Sequence, residues 1–127
     1  MAPLAAKGVW QMGATARGTA IENRLAATEY SGRFRVGGLD KGTFPLVDFV
    51  KGNNLVSLKT VDTAGFTWLG RMQRHIRDLS NRGATVNGNP ANMILDIRVQ
   101  PGGAGAAQRL IRYGEKYGVN VNVKEFP

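Results

Sequence analysis

The stretch 44–61, FPLVDFVKGNNLVSLKTV, constrains this chain more than any other. Two apolar runs flank Gly52, Asn53 and Asn54. Those residues suit the positive-φ positions of a tight turn, so the chain is expected to reverse there and form a β-hairpin. One carboxylate, Asp48, lies inside the first run, and Ser57 and Lys59 lie inside the second. Alternation puts Leu46, Asp48 and Val50 on one face of the first strand, and Ser57 and Lys59 on one face of the second. If the register sets Asp48 beside them, three polar groups converge on an apolar sheet. Burying an acid and an amine there is costly without a partner or a purpose. The group is either a cross-strand Asp48–Lys59 pair on a half-exposed sheet or a reactive site.

Composition narrows the choice of chemistry. The 127 residues suffice for one domain with a core. No cysteine is present, so disulfides and thiolate metal sites are excluded, and the single histidine, His75, argues against a His-based zinc site. No run is long enough to span a membrane, and the opening MAPLAAKGVW, broken by Lys7, does not build a signal-peptide core. Seventeen Lys and Arg oppose nine Asp and Glu, a net charge of +8. That excess points to a polyanion, nucleic acid first, or to an acidic protein. An anionic membrane surface fits less well, because no helix combines a broad apolar face with a basic one.

Residues 1–18 read as a lead-in and 19–127 as one domain. Residues 19–30, TAIENRLAATEY, read as a helix closed by Ser31 and Gly32. Glu22 is either part of a Thr19-x-x-Glu22 capping box or a carboxylate pointing toward the hairpin. Residues 33–36 suggest a first strand. Asp40, in the turn that follows, is a turn residue or a secondary metal ligand. Residues 66–81 read as a long helix with Leu69, Met72, Ile76 and Leu79 in one apolar stripe and Phe66 at its start. Its remainder carries Arg71, Arg74 and Arg77, a solvated face or a phosphate-facing strip. Trp68 is a core contact or a base-stacking ring, and His75, beside the stripe, is read as structural. Residues 93–99, MILDIRV, form a strand with Met93, Leu95, Ile97 and Val99 on one face. A helix over 104–117 and a last strand through Val119, Val121 and Val123 complete the chain. Gly102, Gly103 and Gly105 lack the lysine of a phosphate loop and read as a turn. The order is helix, three strands, helix, strand, helix, strand: an α/β domain with a mixed sheet flanked by helices.

With Asp48 in the second strand and Ser57-Leu58-Lys59 in the third, this order resembles the αβββαβ core of the PD-(D/E)xK nuclease superfamily. Adding Glu22 on the first helix, the chain resembles the C-terminal nuclease domains of contact-dependent growth inhibition toxins of the CdiA type. The likeness covers residues 19–99, with the last helix and strand as an extension. Val47 stands where the motif has proline, and Ser57 where it has an acid. The resemblance implies a metal-dependent nuclease with Glu22, Asp48, Ser57 and Lys59 catalytic. Glu22 and Asp48 would hold a divalent metal, Mg²⁺ first. Lys59 would hold the attacking water or stabilise charge on the phosphate, and Ser57 would bond water or substrate. The implied substrate is nucleic acid, tRNA ahead of DNA, gathered by Arg71, Arg74 and Arg77. A cognate immunity protein is implied too, as is delivery on the C-terminal part of a larger surface protein into the cytoplasm of a target cell. The alternatives are a DNase of the same fold, a metal-independent RNase, and a non-catalytic nucleic-acid-binding module. The single histidine weakens the second of these.

Overall fold

The computed structural model describes residues 8–36, 46–82, 85–86 and 88–127. A 3-10 turn (Val9–Gln11) leads into α1 (Ala14–Ala27), β1 (Phe34–Arg35), β2 (Phe49–Lys51) and β3 (Asn54–Val61). Then come α2 (Trp68–Arg82), the short strands β4 (Thr85–Val86) and β5 (Asn89–Pro90), and β6 (Asn92–Val99). A four-residue α3 (Ala104–Ala107), α4 (Arg109–Lys116) and β7 (Asn120–Glu125) follow.

The hairpin forms where its turn residues place it. Gly52 takes φ +59°, Lys51 pairs with Asn54, and Phe49 pairs with Val56. Boundaries differ from the sequence-based expectation in several places. The helix expected over 104–117 is split into α3 and α4, and the one expected to close at Ser31 ends at Ala27. Helix α1 starts at Ala14, inside the expected lead-in, because the alanines and Arg17 ahead of Thr19 are themselves good helix formers. Thr19 is therefore an interior residue, Gly13 occupies the N-cap without a side-chain bond, and the Thr19–Glu22 capping box is not formed. Helix α2 starts at Trp68, which leaves Phe66 in the preceding loop and 98% exposed.

Five strands form one mixed sheet in the order β1-β2-β3-β6-β7. Strand β2 runs antiparallel to both of its neighbours, β1 and β3; β3, β6 and β7 run parallel. Parallel neighbours need crossovers, which α2 and the α3–α4 segment supply. Helix α1 covers one face, where Ile21 and Leu25 meet Phe49, Val56 and Leu58. Helices α2 and α4 cover the other, where Ile76, Leu79 and Leu110 meet Leu55, Leu95, Ile97 and Val99. The alternation read in 93–99 thus sorts the faces correctly. Its polar members, Asp96 and Arg98, are buried on the α1 face. Tight packing of α4 on β7 depends on Gly114, where a Cβ would lie 2.4 Å from Val121 Cγ2 and 2.6 Å from the Val119 carbonyl. No helix among the described residues is long and apolar enough to cross a membrane.

Candidate active site

The site lies where β3 outruns β2. The two strands pair only as far as Val56. The next link is made by a side chain: Asp48 Oδ2 accepts the Leu58 N–H at 2.7 Å. The Asp48 N–H donates to the Val56 carbonyl at 2.8 Å, and its own carbonyl accepts the Val36 N–H at 2.8 Å. Asp48 thereby substitutes for a strand carbonyl and closes the ladder. Past it, residues 59–61 face no described strand on that side.

Beside this open edge, under the first half of α1, is a cavity of about 390 Å³. Glu22, Asp48 and Lys59 line it together, with Gly18 and Thr19 of α1 and Thr60 of β3. Glu22 comes from mid-helix. Its Oε2 accepts Arg35 Nη2 at 2.6 Å and Arg35 Nε at 3.2 Å, while Arg35 also donates to Asn23. This ion pair is partly exposed, so it orients Glu22 more than it stabilises the fold. Lys59 forms no ion pair with any described residue, Asp48 included. The cross-strand pair considered above is not made.

Ser57 is not brought to this cavity. It is 1% exposed and turned under α2, with Oγ 2.8 Å from His75 Nε2. Lys59 shares its face, but lies nearer the strand end, and its long stem reaches the edge. A second cavity, of about 430 Å³, opens on the α2 side of β3 and is lined by Arg17, Lys59, Trp68, Arg71, Arg74 and His75, among others. Arg77 is not among them; its Nη1 donates to the Tyr113 hydroxyl at 2.6 Å on α4. Trp68 is 9% exposed and packs with the core. Asp40 lies outside the described residues.

His75 is the residue that sequence reasoning left out. Burial, and then the charge of Lys59, push its imidazole down to about 4, so it is neutral at neutral pH. Its position next to Ile76, on a helix that must cross the sheet, was the available signal; the partner, Ser57, was not visible.

Among the described residues no group of three or more His, Asp or Glu side chains could hold a metal ion. The cavity's carboxylates are Glu22 and Asp48. Two carboxylates and an ammonium with no ion-pair partner among the described residues, around one cavity, suit a hard cation together with an anion such as phosphate. No protein-family model matches the chain, and no curated protein matches it. The class that the fold defines is a mixed α/β domain, its five-stranded sheet covered by helices on both faces.

Proposed function

We propose that the chain is a metal-dependent nuclease with a PD-(D/E)xK-like core, a toxin domain of the contact-dependent growth inhibition kind that cuts tRNA ahead of DNA. One observation carries this reading: Glu22 of α1, Asp48 just ahead of β2 and Lys59 of β3 line a single cavity at the open edge of β3. Two others support it. The order α1-β1-β2-β3-α2-β6 agrees with an αβββαβ core, and a +8 chain attracts polyanions.

The donor set suits Mg²⁺, which prefers oxygen ligands, keeps several waters, and is often held by one or two carboxylates plus substrate phosphate. Glu22 and Asp48 would hold it. A bound Mg²⁺ would polarise the scissile phosphate and make the attacking water more acidic. Leu58 N–H and Arg35 orient the two carboxylates, and such supporting bonds set ligand geometry. Lys59 holds the water or offsets the charge that develops on the phosphate. Ser57, buried under α2, acts through His75 and not on substrate. In the same reading the domain travels as the C-terminal part of a larger surface protein. It acts in the cytoplasm of a target cell, and an immunity protein protects the producer.

A non-catalytic nucleic-acid-binding module is the second reading. It is favoured by the existing commitments of both carboxylates, Asp48 to Leu58 N–H and Glu22 to Arg35. Incubating the protein with tRNA, total RNA and plasmid, with Mg²⁺ or with EDTA, separates the readings. We expect Mg²⁺-dependent cleavage of tRNA that drops on the order of 10²-fold or more in Lys59→Ala and Asp48→Asn. Asp48→Asn keeps an acceptor for Leu58 N–H, and its melting temperature is measured alongside so that lost activity is read only from folded protein. Ser57→Ala should lose far less activity than Lys59→Ala. Cleavage that survives in Lys59→Ala and Asp48→Asn discards the site. Cleavage of plasmid alone makes the chain a DNase, and binding without any cleavage leaves the module.

A further inference from the structure

We infer that the substrate enters as a single strand bent around the β3 edge at Lys59. One phosphate then lies in the Glu22–Asp48 cavity and a neighbouring phosphate lies beside Arg71 and Arg74 on the α2 side. The first subsite rests on the nuclease reading; the second stands on its own charges.

The two cavities share Ala14, Lys59 and Thr60, so they adjoin at the strand edge, and together they offer a groove over it. The α2-side lobe collects the cations Arg17, Lys59, Arg71 and Arg74 against the carboxylates Asp62 and Asp78. Asp62 is engaged with its own loop, accepting the Ala64 N–H at 3.0 Å. The cations are largely uncommitted. Lys59 and Arg74 have no ion-pair partner among the described residues. Among the described residues the Arg71 side chain donates to the Thr67 hydroxyl alone, at 3.2 Å. The Arg17 guanidinium sits 5.1 Å over the Trp10 ring, and its Nε is buried without a hydrogen-bond partner among the described residues. Outside the groove Arg35 is held by Glu22, Arg77 by Tyr113 and Arg98 by Asp96, whereas Arg33 lies over the Tyr30 ring with its Nη1 buried and without a hydrogen-bond partner among the described residues. Unpaired cations gathered in one concavity repel each other until an anion enters.

The path around one strand edge selects the form of the polyanion. A duplex is stiff over about 50 nm, so it cannot turn from one face of a sheet to the other within a nucleotide or two. A single strand can. In a tRNA this admits an unpaired loop or end.

Fluorescence anisotropy with Ca²⁺ in place of Mg²⁺ tests this, using a short single-stranded RNA and the same sequence as a duplex over a salt series. Ca²⁺ also takes oxygen ligands and keeps the Glu22–Asp48 subsite able to accept a phosphate. Single-strand binding should be about tenfold tighter or more. Arg71→Ala and Arg74→Ala, both exposed positions, should each weaken it several-fold and flatten the salt slope by about 0.7 per lost phosphate contact. Arg109→Ala, exposed on α4 and outside both cavities, should leave both unchanged. Equal or tighter binding of the duplex overturns the proposal, as does an unchanged slope in Arg71→Ala and Arg74→Ala. Binding in the expected pattern by a protein that cuts nothing defeats the nuclease reading and leaves the groove. Mg²⁺-dependent cleavage with no single-strand preference defeats the groove alone.

Discussion

His75 is a base that its surroundings keep neutral. Burial lowers its proton affinity, Lys59 lowers it further, and the pKa falls to about 4. In the unfolded chain it returns to about 6.5. Between those values the unfolded chain binds more protons than the folded one. Stability therefore falls as pH drops through about 6.5, and goes on falling until about 4. The whole shift corresponds to about 3 kcal/mol, but the ring borders a cavity open to solvent, so about 1–2 kcal/mol is expected. Urea titrations of wild type and His75→Gln at pH 7 and pH 4.5 isolate this contribution from that of the carboxylates. The variant stays neutral at that position and should lose less stability on acidification. Identical losses in the two proteins would put the proton elsewhere. The sequence showed a lone histidine near an apolar stripe, and only the Ser57 contact explains what it does there.

Helix α1, which carries Glu22, is tied to β6 by a buried charged cluster. Arg98 donates to Asp96 Oδ1 at 2.8 Å and Oδ2 at 2.9 Å, and also to Glu29 just beyond α1. The Tyr30 hydroxyl donates to Asp96, and Lys124 of β7 lies 3.5 Å from Glu29. Burial and the Asp96 carboxylate raise the Tyr30 pKa, so the phenol remains a donor. Such clusters add little over apolar packing, yet breaking one leaves a buried charge unpaired. Asp96→Ala should cost about 3–5 kcal/mol through the stranded Arg98, and Tyr30→Phe about 1–2 kcal/mol. Denaturant midpoints measure both. A wild-type midpoint for Asp96→Ala would mean that the cluster contributes nothing. In the sequence, Asp96 and Arg98 read only as the polar half of an alternating strand; their partners lie 66 and 69 residues away.

Across the molecule, the cations of the α2-side lobe lie around the β3 edge from Glu22 and Asp48, joined to them through Lys59. A toxin of this kind should stop the growth of a cell that makes it without its inhibitor, while Lys59→Ala should be tolerated. Normal growth with soluble wild-type protein would rule out the toxin–immunity reading. An inhibitor drawn to the same field should present an acidic surface and associate more slowly as salt rises.

By itself the sequence determined whatever depends on neighbours along the chain. Gly52 and Asn53 specify the reversal, the 3.6-residue stripe specifies α2, and alternation specifies the faces of β6. The charge excess needs no fold at all. Tertiary structure alone decided which of these faces are covered. Alternation puts Ser57 and Lys59 on one side, but α2 buries the first against His75 and leaves the second at the edge. Spacing by three turns Arg71, Arg74 and Arg77 progressively around the helix, but only the structure shows which of them leaves the groove: Arg77, which donates to Tyr113 of α4. Glu22 lines the same cavity as Asp48 because α1 lies across β3, close enough that a Cβ added at Gly18 would sit 3.7 Å from Thr60 Oγ1. Local pattern says which way a side chain points. What it meets there is set by the packing of distant elements, whose energies are collective and appear at no single position.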